Sequence, residues 1–169
     1  MEPCALDDAR PTDRGSTVVV GVDGSAASVS AVQRACEEAR IRDGVVEVVT
    51  VWSYPPGSTS EWLAYRAGRR WALRAQAAVV ARATGRLTQP PPMTGVVVDG
   101  DPADVLARAG RGAACIVLGR HPETPLEASS GSTRERCMAL AGCPVVVVPP
   151  PPDDRPVAPA LVPVRLGAA

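Results

Sequence analysis

The stretch Cys115–Pro149, CIVLGRHPETPLEASSGSTRERCMALAGCPVVVVP, decides the fold. Two short apolar runs, Cys115–Leu118 and Val145–Val148, stand at its ends. A polar loop opens at Gly119, and a Gly131-Ser132-Thr133 step leads into a helical segment before the second run. Continuous apolar blocks bounded by Gly and Pro suit strands buried on both faces of a parallel sheet. A strand, a glycine-bearing loop and a helix N-terminus in succession also make an anion cradle, because unpaired backbone N–H groups point into the loop.

The same alternation continues upstream. Thr17–Val22 reads as a first strand that stops at Asp23-Gly24-Ser25, with Ser25 as helix N-cap. Val29, Val32, Cys36 and Ala39 supply the helix's apolar face, with Arg34, Glu37 and Glu38 turned away. Val45–Trp52 is the second strand. A long helix follows from about Ser60 to Thr84, with an apolar stripe of Ala64, Ala67, Trp71, Ala75 and Ala78. Its arginines, Arg66, Arg69, Arg70 and Arg74, read as a solvated face. Met93–Val98 is the third strand, and Asp101-Pro102-Ala103-Asp104 starts the third helix with an N-cap, a first-turn Pro and a first-turn acid. Ala114–Leu118, a helix over Ser132–Ala141 and Pro144–Val148 complete the series. Strands alternating with helices predict an α/β fold: a doubly wound parallel sheet whose ligands bind beyond the strands' carboxyl ends.

Composition narrows the chemistry. The 169 residues suit one domain, with 46% apolar residues and 18 basic against 18 acidic ones. Charge balance gives no reason to expect nucleic acid or an acidic membrane surface as partner. Lysine is absent, which removes any P-loop, Schiff-base or general-base lysine. Five cysteines include no C-x-x-C, and Cys36 and Cys115 fall on core-facing positions. One histidine gives no basis for a zinc cluster, so no metal site is expected. With no signal pattern and no long apolar run, the chain reads as cytoplasmic. Three regions follow: a flexible tail over 1–15, a domain over 16–150, and a flexible Pro-rich tail over 151–169.

Three blocks, VVVGVDGSAASVSAVQRACEEAR, VVVDGDPADVLARA and the glycine loop ending GCPVVVVP, closely resemble the universal stress protein family in order and spacing. The resemblance spans about residues 16–150. It implies five strands in order 3-2-1-4-5, an adenine nucleotide alpha hydrolase-like fold, and a stress-response function. It also implies a homodimer in which the last strand, Val145, Val146, Val147 and Val148, pairs with its copy. The alternative is that the Pro-rich tail covers that edge.

The resemblance further implies ATP, with Mg2+, as ligand of a sensor. The residues that match are Val22 and Asp23 after strand one, Val51 in strand two, and Gly119, His121, Gly131, Ser132 and Thr133 around the phosphates. The family loop runs G-x2-G-x9-G and then Ser or Thr. Here Pro122 stands at the middle glycine, and the span from Gly119 to Gly131 is one residue short. Proline has no N–H to offer a phosphate, and Glu123 and Glu127 add negative charge, which Arg120 and His121 offset. Turn-forming for Asp23 and N-capping for Ser132 and Thr133 are the plain alternatives. Without G-x-G-x-x-G, G-x-S-x-G or a nucleophile–base pair, no enzyme is expected. Two readings stay open: an ATP-binding sensor, and a nucleotide-free module that acts through a protein partner.

Overall fold

The computed structural model describes residues 14–52, 61–120 and 132–151, with the side chains of 61–64 excepted. Within them the chain runs β1 (Thr17–Gly21), α1 (Ala26–Ile41), β2 (Val45–Trp52), α2 (Glu61–Thr84), β3 (Met93–Asp99), α3 (Pro102–Ala109), β4 (Cys115–Gly119), α4 (Thr133–Leu140) and β5 (Val145–Val148). All neighbouring strands pair parallel, in the order β3-β2-β1-β4-β5, as the resemblance implies. Sequence order reverses between β1 and β4, which opens the crevice where such sheets bind ligands.

The valine blocks are continuous because both sheet faces are covered. Side chains alternate across a strand, so Val18 and Val20 meet α1 and α2 on one face, while Val19 meets α3 and α4 on the other. Cys115 and Val117 join the first core, and Ile116 and Leu118 the second. Each fully buried valine contributes roughly 1.5–3 kcal/mol by leaving water, and Val18, Val19 and Val20 are all completely buried.

Three expectations are corrected. In α2 the buried face is Ala72, Ala75, Gln76, Val79 and Ala83, whereas Ala67 is exposed and Trp71 and Ala78 are half-buried. Alanine-rich helices offer little apolar contrast, and Gln76 fixes the rotation here. Its amide donates to Val48 O, Thr50 Oγ1 and Val96 O at 3.0–3.1 Å, tying the helix to β2 and β3. Glu38, placed on the solvent face from sequence, is buried between Arg34 and Arg42, which bond its two carboxylate oxygens. Arg14, from the stretch read as a tail, is 9% exposed and paired with Glu47 of β2. Arg66, Arg69, Arg70 and Arg74 are exposed, as read. Residues 1–13 of the N-terminal tail and the C-terminal tail beyond residue 151 lie outside the described residues.

Candidate functional site

The crevice is built first at the turn from β1 to α1. Val22 continues β1 by donating its N–H to Val49 O at 2.9 Å, and its side chain is buried. Gly24 has φ +89°, a left-handed conformation in which only glycine is unstrained, so the chain can turn sharply into the helix. Asp23 closes this turn. One of its oxygens, Oδ1, accepts from Ser25 N–H at 2.9 Å and from the Ser28 hydroxyl at 2.5 Å. Its own N–H donates to Ser28 Oγ at 3.1 Å, and Ser28 N–H donates to the N-cap Ser25 Oγ at 3.2 Å. The carboxylate thus lies at the N-terminus of α1, where the helix dipole stabilises negative charge.

β4 delivers Gly119 to the same place. A Cβ on Gly119 would lie 2.7 Å from both the carbonyl carbon and oxygen of Ala27, so the strand end abuts the first turn of α1. Only a residue without a side chain allows that approach. Val51 sits half-buried on the α3 face of β2 and packs against the second core. Beyond Gly119, Arg120 N–H bonds Val148 O at 2.7 Å. His121 and Gly131, together with Pro122, Glu123 and Glu127, lie outside the described residues.

The other wall is the start of α4. Ser132 is the N-cap, and it forms a capping box: its Oγ accepts from Glu135 N–H at 3.2 Å while its N–H donates to Glu135 Oε2 at 3.3 Å. Thr133 is the first helical residue and half-buried. Asp101, the N-cap of α3, links the two helices. Its Oδ1 accepts from Ala103 and Asp104 N–H, and its Oδ2 accepts from Arg136 at 2.7 Å. Partial burial opposes the Asp101 charge, but the Arg136 guanidinium and the two N–H groups outweigh it and hold the carboxyl below its ordinary range.

The structure therefore joins Asp23 and Gly119 on the first turn of α1, and it anchors Ser132 and Thr133 to α3 through Arg136. Two helix N-termini, those of α1 and α4, rise at the carboxyl end of the sheet, an arrangement that favours an anion. Three contributors were not read from sequence. Ser28 and Glu135 had a local signal, in the spacings Ser25-x-x-Ser28 and Ser132-x-x-Glu135, whereas the Arg136–Asp101 pair spans 35 positions and had none. Among the described residues, no group of three or more His, Cys, Asp or Glu is placed to hold a metal ion, and no helix is long and apolar enough to cross a membrane.

Comparison with known proteins agrees with this architecture. The model of the universal stress protein family matches residues 16–149. A universal stress protein solved in complex with cAMP is 25% identical, with a TM-score of 0.54 over 80% of this chain and 97% of that one. A family protein from Burkholderia pseudomallei is 27% identical, with a TM-score of 0.54 over 83% and 100%. UspA from Lactobacillus plantarum is 21% identical and superposes with a TM-score of 0.66 over 80% and 98%. No curated protein matches the sequence closely enough to count as a relative. With a family match covering most of the domain and the five-stranded order in place, the chain belongs to the universal stress protein family.

Proposed function

We propose that this stress protein is a homodimeric adenine-nucleotide sensor that binds its ligand in the crevice between β1 and β4. The observation that carries the reading is the meeting of Asp23 and Gly119 on the first turn of α1, at the reversal of strand order. Asp23, Val22 and Val51 would face the ribose and base, and Gly119, Ser132 and Thr133 the phosphates. The cAMP complex of a 25% identical relative supports an adenine nucleotide as the ligand class. Pro122 removes one N–H from the loop, and Glu123 and Glu127 add charge to it. This composition suits one phosphate better than the three of ATP. Any Mg2+ would arrive on the phosphates, since small hard cations commonly keep most of their waters and few protein ligands. Nothing in the reading requires bond-breaking chemistry.

One observation favours the second reading, a nucleotide-free interaction module. Ser132 spends both its N–H and its hydroxyl on Glu135, and Asp23 Oδ1 is already bonded twice within its own turn. Calorimetric titration with cAMP, AMP and ATP·Mg2+ separates the two. The sensor reading expects saturable binding, weakened about tenfold or more by Asp23→Asn, which removes charge while keeping an acceptor oxygen. Absence of heat with every nucleotide at millimolar concentration would leave the module reading in its place.

The dimer rests on β5, which among the described residues is the last strand of the sheet. Ile116 and Arg120 donate to Pro144 O and Val148 O, two ends of one parallel ladder. Alternate residues of such a ladder turn both backbone groups to the same side. Val146 therefore faces β4 with its backbone, and Val145 and Val147 present theirs outward. All four valines are only half-buried. A second copy pairing there would close an edge that otherwise invites aggregation. Val147→Pro deletes an outward N–H and spares the ladder to β4. Sedimentation should show a dimer for the parent chain and a monomer for the variant; a monomeric parent would sink the proposal.

A further inference from the structure

The outward face of α2 carries charge of one sign. From Tyr65 to Thr84 the helix holds five arginines and no Asp or Glu. Arg69, Arg70 and Arg74 are exposed, and Leu73, 40% exposed, stands among them. Residues three and four apart on a helix are surface neighbours. Leu73 therefore lies one turn beyond Arg69 and Arg70, and Arg74 one turn beyond Arg70, in one contiguous patch. Like charges at four-residue spacing repel, so the helix itself gains nothing from the arrangement. Elsewhere arginines meet carboxylates: Arg14 meets Glu47, Arg34 and Arg42 meet Glu38, and Arg136 meets Asp101. Arg69, Arg70 and Arg74 make no ion pair among the described residues. The chain as a whole has no net charge, so the positive patch is a local arrangement and not general basicity. It also lies away from β5: α2 packs on β2 and β3, at the other end of the strand order.

We propose that this face of α2 docks an acidic amphipathic segment of a partner protein, whose carboxylates meet Arg69, Arg70 and Arg74 and whose apolar side chain covers Leu73. Arg70 and Arg74 stand about 6 Å apart along the axis, the interval that also separates carboxylates at i and i+4 of a partner helix. Guanidinium forks pair with carboxylates through two parallel N–H bonds. The surface selects a peptide over other anionic partners. Helices that lie on membranes sink bulky apolar side chains into the lipid. Here the apolar side, with Ala72, Ala75 and Val79, is turned into the protein, and the exposed positions between Arg66 and Arg82 are arginine, alanine and one leucine. Nucleic acids are held by many phosphate contacts along their length. The span from Arg69 to Arg74 is roughly 8 Å of helix, and an exposed leucine contributes nothing to a phosphate. The patch shares no residue with the crevice, so it serves the chain with or without a nucleotide.

The test follows the fluorescence anisotropy of a fluorescein-labelled peptide of four Glu-Leu-Ala-Ala repeats as the nucleotide-free full chain is added. Saturable binding is expected at about 10–100 µM in low salt. Arg70→Glu combined with Arg74→Glu should weaken it about tenfold or more, and Leu73→Ser several-fold. All three side chains are exposed, so the variants should keep the urea midpoint of the parent. Added salt should shrink the effect of the arginines more than that of Leu73. No binding of the peptide, or binding indifferent to the charge reversal, would overturn the proposal. So would tighter binding of single-stranded DNA or of phosphatidylserine vesicles than of the peptide, since the patch would then belong to a phosphate-bearing partner.

Discussion

Gly119→Ala should lower the unfolding free energy by about 3 kcal/mol and, on the proposed sensor reading, abolish nucleotide binding with it. The added methyl would sit 2.7 Å from the carbonyl carbon and oxygen of Ala27. Those are backbone atoms in the first turn of α1, and they cannot rotate away. Relief requires α1 to lift from β4, and α1 places Val29, Val32, Ala35, Cys36 and Ala39 in the core. Overpacking a core costs about 1–3 kcal/mol when side chains can adjust; here the obstacle is main chain, so the upper end applies. Because Asp23 is bonded to Ser25 and Ser28 at the start of that helix, the same shift would disassemble the site. Gly142→Ala is the matched control, since a Cβ there meets nothing within 4 Å. Urea unfolding of both variants, with unchanged slope, reads the difference. A cost under about 0.5 kcal/mol for Gly119→Ala would show that β4 and α1 are not held so close in solution.

That glycine also marks the limit of reading by sequence. Its match to the phosphate loop was legible, but its packing against Ala27 was not, because contact between β4 and α1 joins positions far apart in the chain. Strands were legible for a simple reason: an all-valine block has few alternatives to a doubly covered strand. Helix starts were legible where a cap announced them, at Ser25, Asp101 and Ser132. The face of α2 was not, since alanines fall on exposed positions (Ala67, Ala77, Ala81) as well as buried ones (Ala72, Ala75, Ala83), and the deciding contact is one glutamine reaching into the sheet. At the site, Asp23 and Ser132 were placed correctly on their turns. The partners that occupy them, Ser28 and Glu135, needed the short-range spacing to be weighed as a hydrogen-bond network.

The Arg14–Glu47 pair lay beyond such reading altogether. A glutamate inside a valine strand announces a problem, but its solution stands 33 residues away in a segment that reads as tail. Glu47→Ala should therefore be the costly change here, by about 2–4 kcal/mol. It strips the buried guanidinium of its bonded carboxylate, and Nη1 already lacks a partner. Leaving one member of a buried pair alone typically costs about 3–5 kcal/mol, less what Arg14 recovers by moving toward solvent near the chain's start. Arg14→Ala should cost less, because Glu47 keeps a further interaction. Replacing both together with methionine removes two desolvated charges and fills similar volume, so Arg14→Met with Glu47→Met should return to within about 1 kcal/mol of the parent. A double variant as unstable as the sum of its singles would mean that the charges do not interact. Each side chain would then stabilise the fold through its own packing rather than through the pair.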